Sequence, residues 1–232
     1  MKIGLICDIH GNHLALQAVL NAAAIAEVEY LLVGGDLVGY YFEPRRVWDM
    51  LQNWDFYAVR GNHELMLERA YADPSFLATV DTRYGSGLRL AIEQFSPDCL
   101  ASLWELPSQL NFQLDSCNIL LCHGSPWDTN QYIYPDASMQ LLDRCAKSQC
   151  TFVVLGHTHY PMIKKVGQTV IVNPGSVGQP RNRVLGAHWA LLDTKTQRIT
   201  LRCETYDATS LVAEAKKRHP DIPYLSKILE NS

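Results

Sequence analysis

Five short apolar runs in this chain each end, within a few residues, in side chains that bind metals. IGLIC (3–7) is followed by Asp8 and His10, and LLVGG (31–35) by Asp36. YAVRG (57–61) is followed by Asn62 and His63, ILLC (119–122) by His123, and FVVLG (152–156) by His157 and His159. Short apolar runs bounded by glycine read as buried strands. In open α/β sheets the ligand crevice lies beyond the carboxyl ends of the strands. The pattern therefore predicts five loops converging on one crevice. Gly11, Gly34, Gly35, Gly61, Gly124 and Gly156 flank these residues, where a missing side chain lets the backbone turn sharply and approach a bound ion or phosphate.

The intervening segments complete an α/β alternation. HLALQAVLNAAAIA (13–26) is rich in Ala and Leu and predicts a helix capped by Asn12. PRRVWDMLQN (44–53) predicts a second helix with Pro44 at its first position. The runs TVIVN, HWALLD and QRITLRC are spaced like a closing β-meander. Strands alternating with helices, then strands following strands, predict a mixed α/β core with more than one sheet. Residues 64–117 break the rhythm: they are mostly helical in pattern and contain two turn signals, DP and SP, which suggests an insertion over one end of the sheet. Residues 205–232 are polar and predict one or two surface helices. We therefore expect one domain over residues 1–232.

Composition excludes several classes. A net charge of -4 with no long basic run argues against an extended nucleic-acid surface. No apolar run is long enough to span a bilayer, and MKIGLIC meets Asp8 too soon for a secretory signal. Seven cysteines without a CxxC pair do not form a disulfide framework, so a reducing cytoplasm is the expected compartment.

A mixed Asp, Asn and His donor set without cysteine suits Mn, Fe, Zn or Co better than calcium or magnesium. Seven donors exceed what one ion needs once water is counted. Two ions sharing a carboxylate fit better, and such pairs clamp the attacking and leaving oxygens in displacement at phosphorus.

DIH (8–10), GD (35–36), GNHE (61–64), HG (123–124) and GHTH (156–159) together resemble the five motifs of the calcineurin-like metallophosphoesterases. DIHGN, GDLVGY and NPGSVGQPR (173–181) resemble more closely a small prokaryotic branch described as phosphodiesterase-like or phosphatase-like. The resemblance implies a four-layer α-β-β-α sandwich with two mixed sheets. It also implies that Asp8, His10 and His159 hold one metal, that Asn62, His123 and His157 hold the other, and that Asp36 bridges them. His63 would serve the leaving-group oxygen as general acid against attack by a metal-bridging hydroxide. Arg60 would contact phosphate, as the arginine before this motif does in Ser/Thr protein phosphatases.

The reading is a metal-dependent phosphoesterase carrying two divalent ions, Mn, Fe or Zn, with Co or Ni usable in vitro. Its partner would be a small phosphorylated substrate, possible nucleotides included, and a phosphodiester by preference. Phosphomonoesters, phosphoproteins and dinucleoside polyphosphates are the alternatives. GDLVGYY lacks the Asp-Arg-Gly run of the protein phosphatases, which weighs against phosphoproteins. A binding scaffold on the same fold is the non-enzymatic alternative, and the oligomeric state is left open. Cys7 and Cys122 read as small buried residues at strand ends. His13, His188 and His219 read as structural or surface residues, and NPGSVGQPR as a turn shaping the site floor from which Arg181 could reach substrate. Glu64 is a candidate orienting partner for a ligand histidine. The aromatics of 39–44 and 125–135 could stack a nucleobase or simply cover the rim.

Overall fold

The computed structural model describes residues 1–230. Two five-stranded mixed sheets face each other. The first runs β10 (Arg198–Glu204), β9 (Ala187–Asp193), β1 (Lys2–Ile6), β2 (Tyr30–Val33), β3 (Phe56–Ala58). The second runs β4 (Gln109–Leu114), β5 (Cys117–Cys122), β6 (Phe152–Val154), β8 (Thr169–Asn173), β7 (Met162–Val166). In the first sheet β1, β2 and β3 are parallel, and β9 and β10 are antiparallel additions. In the second, β5, β6 and β8 are parallel, flanked by antiparallel β4 and β7.

Strand side chains point alternately to opposite faces, and here both faces are covered. Ile3, Leu5, Leu32, Ile119, Leu121, Phe152, Val154 and Val172 meet in one core between the sheets. Their neighbours Ile6, Leu31 and Val33 enter a second core under α1 (His13–Ile25). Leu120, Cys122, Val153 and Ile171 enter a third under α7 (Met139–Ala146). The result is the expected α-β-β-α order, and it explains why these strands read as unbroken apolar runs. Asn12 caps α1 by accepting from Ala15 N, and Pro44 opens α2 (Pro44–Leu51).

Three expectations are corrected. Residues 64–117 are mostly helical, as expected, but their last part joins a sheet rather than covering one. After α3 (Asn62–Ala72), α4 (Pro74–Tyr84), α5 (Gly87–Gln94) and α6 (Pro97–Trp104) comes β4, the edge strand of the second sheet. Its sequence QLNFQL alternates exposed Gln and Asn with half-buried Leu and Phe, the period of a strand with one solvated face. The DP and SP signals are helix starts, with Asp73 and Ser96 accepting from backbone N–H groups of α4 and α6.

The three closing strands do not form one meander. TVIVN is β8 of the second sheet, whereas HWALLD and QRITLRC pair as the β9–β10 hairpin of the first. Finally, the C-terminal helices α8 (Thr209–Arg218) and α9 (Tyr224–Glu230) are not mere surface cover. Leu211, Ala215, Leu225 and Leu229 pack on Tyr40, Tyr41 and Phe42 in a fourth cluster.

Candidate metal centre

The parallel strands deliver their polar residues to one edge of the sandwich. Asp8 and His10 follow β1, Asp36 follows β2, and Asn62 follows β3 as the first residue of α3. His123 follows β5, and His157 and His159 follow β6. Five of these seven donors hold left-handed backbone: Asp8 (φ 55°), His10 (53°), Asp36 (54°), His157 (66°) and His159 (63°). Such conformations are uncommon outside glycine and cost on the order of 1–3 kcal/mol each. The backbone supplies some compensation. Asp36 O accepts from both Ile9 N and His10 N, at 2.8 and 2.9 Å, and Asp8 N donates to Gly35 O.

The donors form two groups sharing Asp36. In one, His10 Nε2 stands 3.2 Å from His159 Nε2, and His159 Nε2 stands 3.5 Å from Asp8 Oδ1. In the other, His123 Nε2 lies 3.0 Å from Asn62 Oδ1 and 3.2 Å from His157 Nδ1. Asp36 Oδ2 faces both, 3.7 Å from His10 Nε2 and 3.4 Å from His123 Nε2.

The tautomers make these distances informative. His10 Nδ1 donates to Val38 O (3.0 Å), His123 Nδ1 to Gly34 O (2.7 Å), and His159 Nδ1 to Gln179 O (2.6 Å). A carbonyl can only accept, so each neutral ring spends its single proton on Nδ1 and presents a lone pair at Nε2. The Nε2 lone pairs thus face one another and the carboxylate oxygens with no ring proton between them. Protonating the rings does not resolve this, because burial pushes His10 and His159 well below the ordinary imidazole range and His123 down to about 4. Burial also drives Asp8 up, with Asp36 next to it adding to the effect, and lifts Asp36 to about 7. Neutral imidazoles and destabilised carboxylates brought together in this way fit divalent cations of the nitrogen- and oxygen-preferring kind.

His63 is buried and lines the cavity above these groups, its ring 4.7 Å from that of His10 and 4.9 Å from that of Tyr40. Its Nδ1 has no hydrogen-bond partner among the described residues. Gly39, at φ 93°, leaves room for it, since a Cβ there would fall on His63 Nδ1. Glu64 orients no ligand histidine. Its carboxylate instead accepts from Asp36 N, Leu37 N and Gly61 N at 2.7–2.8 Å, and from Val38 N at 3.4 Å, tying the loops after β2 and β3 together.

The expectation for Arg60 is also corrected. Its guanidinium lies 3.7 Å from Glu68 on α3, and it is not among the cavity residues. Two arginines line the cavity instead, Arg83 near the end of α4 and Arg181 from the turn after β8, and Arg181 is the less exposed of the two. Its Nη2 donates to Tyr40 Oη (3.2 Å) and Gln179 Oε1 (3.0 Å), and its Nε donates to Tyr224 Oη (3.0 Å). All three partners are neutral. The cavity is about 360 Å³, with Asp36, Asn62, His157 and His159 at its base and Tyr40, Tyr84, Tyr132 and Tyr224 around it. Tyr132 stacks on the His157 ring at 4.0 Å.

The remaining residues are structural. Cys7 Sγ faces Leu155 O and Cys122 Sγ faces Val154 O, and burial pushes both thiols up, away from the thiolate a metal would need. His188 is buried against Val184 O. His219 accepts from Ser86 N and stacks on Phe42. His13 is half-buried at the start of α1.

A four-layer sandwich with acidic, amide and imidazole donors gathered at its strand ends is the architecture of the metallophosphoesterases. Residues 1–197 match the calcineurin-like phosphoesterase superfamily domain, and the chain belongs to that family. An uncharacterized protein of Methanocaldococcus jannaschii is 24% identical over 223 residues, 88% of each chain. The crystal structure of a hypothetical protein from Pyrococcus horikoshii superposes with a TM-score of 0.86 at 21% identity, over 98% of this chain and 97% of that one. A metallophosphoesterase from Sphaerobacter thermophilus superposes with a TM-score of 0.79 at 24% identity, over 100% and 98%. These structural likenesses establish the shared fold.

Proposed function

We propose that the protein hydrolyses phosphate esters, phosphodiesters by preference, with two divalent ions of the Mn, Fe or Zn kind bound at the Asp8–His159 and Asn62–His157 groups. The observation carrying this reading is the convergence of lone pairs at His10, His123 and His159. Bound there, the ions would neutralise phosphate charge and make hydroxide available at neutral pH.

The chain's own residues account for the rest. Asp8, His10, Asp36, Asn62, His123, His157 and His159 hold the ions, with backbone carbonyls fixing three of the rings. Arg181 binds a non-bridging phosphate oxygen, since its planar fork lacks an acidic partner and opens on the cavity. His63 donates a proton to the departing alkoxide. Burial, with His123 next, holds its proton affinity low in the free site. An anionic substrate beside it favours the protonated ring and so reverses that penalty. The tyrosine rim excludes water and flanks the ester substituents.

The test is hydrolysis of bis(p-nitrophenyl) phosphate and p-nitrophenyl phosphate by protein loaded with one metal at a time. The reading expects metal-dependent turnover of the diester above that of the monoester. Failure of every loaded form on both esters would remove it in favour of a binding scaffold. Cytoplasmic residence belongs to the same proposal; among the described residues no helix is long and apolar enough to cross a membrane.

A further inference from the structure

The family match ends at residue 197, yet Ile222 and Tyr224, beyond it, form part of the cavity wall. Tyr224 belongs to α9, and its hydroxyl bonds Arg181 and Gln179. On the far side of this contact lies a second, more open groove of about 730 Å³. It is walled by Pro180, Arg181, Arg183, Pro223, Tyr224 and Lys227. Arg181 and Tyr224 thus line both spaces, so the groove adjoins the cavity directly.

The charge of the groove is unusual for this chain. The protein has 24 acidic and 20 basic side chains, yet among the described residues three cations and no carboxylate line this groove. Among the described residues none of Arg181, Arg183 and Lys227 is ion-paired. Arg183 is also held at φ 63°, a left-handed conformation that non-glycine residues seldom adopt. A groove lined by one sign of charge raises the local concentration of the opposite ion. Arginine and lysine without acidic partners are the groups that bind phosphate.

We propose that this groove is a second phosphate subsite, and that the substrates are phosphate esters bearing a further phosphate group on one esterified substituent. The scissile phosphate lies over the Asp36 groups, the second lies between Arg183 and Lys227, and Arg181 stands between the two. The appended helix α9 is then a specificity element, because Tyr224, Lys227 and Ile228 of that helix, with Pro223 before it, form the wall opposite Pro180, Arg181 and Arg183. The assignment of the scissile position rests on the phosphoesterase reading; the anion site itself does not.

The experiment has a binding arm and a turnover arm. Calorimetry compares adenosine 3′,5′-bisphosphate with adenosine 5′-monophosphate on the wild-type protein and on Arg183→Glu and Lys227→Glu. Both positions are exposed, so the variants should fold, which circular dichroism checks. The wild-type protein is expected to prefer the bisphosphate, and each variant to lose about tenfold of that preference, the size of one hydrogen bond to a charged group. Turnover of a diester with and without a second phosphate should show the same loss in the ratio of kcat/KM, carried by KM. Equal affinity for both nucleotides, or a preference unchanged in both variants, overturns the subsite. If no ester is turned over but the bisphosphate preference and its loss are observed, the phosphoesterase reading falls while the anion site stands.

Discussion

His10 Nε2 and His159 Nε2 face each other at 3.2 Å although each ring has already given its proton to a backbone carbonyl through Nδ1. Two lone pairs so placed repel, and positive charge between or beside them relieves that repulsion. The folding free energy of the protein and its metal affinity are therefore linked quantities.

That linkage gives a pH dependence. Asp36 is raised by burial to about 7, above its unfolded value of about 3.9. In metal-free protein its contribution to stability is present below about pH 3.9 and lost as pH rises through 7. His123 and His157 are lowered by burial to about 4 and about 3, so their contribution is present above about pH 6.5 and lost on acidification toward 4. Metal requires ionised Asp36 and neutral rings, and the rings are already neutral above about pH 4. Stabilisation by metal should therefore grow from about pH 5 through 7 and level off above about pH 8. At a hundredfold excess over the dissociation constant it should reach about 5–10 °C in Tm. Differential scanning fluorimetry with and without Mn across that range checks this, and a flat response contradicts it.

His63→Ala should lower kcat by about 10²–10⁴-fold, the usual contribution of a general acid. Metal content should stay near the wild-type level, because His10 and Asp36, whose donor atoms lie within 4.8 Å of one of His63, each keep other donors beside them without it. Elemental analysis beside the rate measurement separates the two effects. A parallel fall in metal content would make His63 a ligand.

Arg181→Gln should reduce kcat/KM for a phosphodiester by about 10–100-fold, the loss of a hydrogen-bonded charge on phosphate. Tm should hold or rise, since a cation bonded only to neutral groups is costly to bury. Arg60→Gln, which leaves the Arg181 bonds intact, should change kcat/KM little. Reversal of that order would return the phosphate contact to Arg60.

Glu64→Gln should destabilise the protein by about 1–3 kcal/mol, because an amide nitrogen must now face backbone N–H groups that the carboxylate accepts. Those bonds fix the loop carrying Asp36, so metal affinity should weaken as well. Chemical denaturation and metal titration of the variant test both, and wild-type values in both would show the clamp to be dispensable.

Much of this molecule is written locally. The apolar runs before Asp8, Asp36, Asn62, His123 and His157 are continuous because both faces of each sheet are covered, and their polar ends follow from where parallel strands stop. Asn12, Pro44, Asp73 and Ser96 announce helix starts by side-chain chemistry alone. The alternation of QLNFQL likewise carries the period of the β4 strand.

What only the tertiary structure decided involves residues far apart in the chain. Arg60 precedes a ligand motif but turns to Glu68 on the following helix, whereas Arg181 reaches the cavity because Tyr40 and Tyr224 hold it from 141 and 43 residues away. The left-handed backbone at five donors, the assignment of TVIVN to the opposite sheet and the docking of α9 likewise leave no periodic trace. Hydrophobic period and capping chemistry depend on neighbours a few positions apart, so a sequence records them. The partner of a long side chain depends on which distant segments the fold brings together.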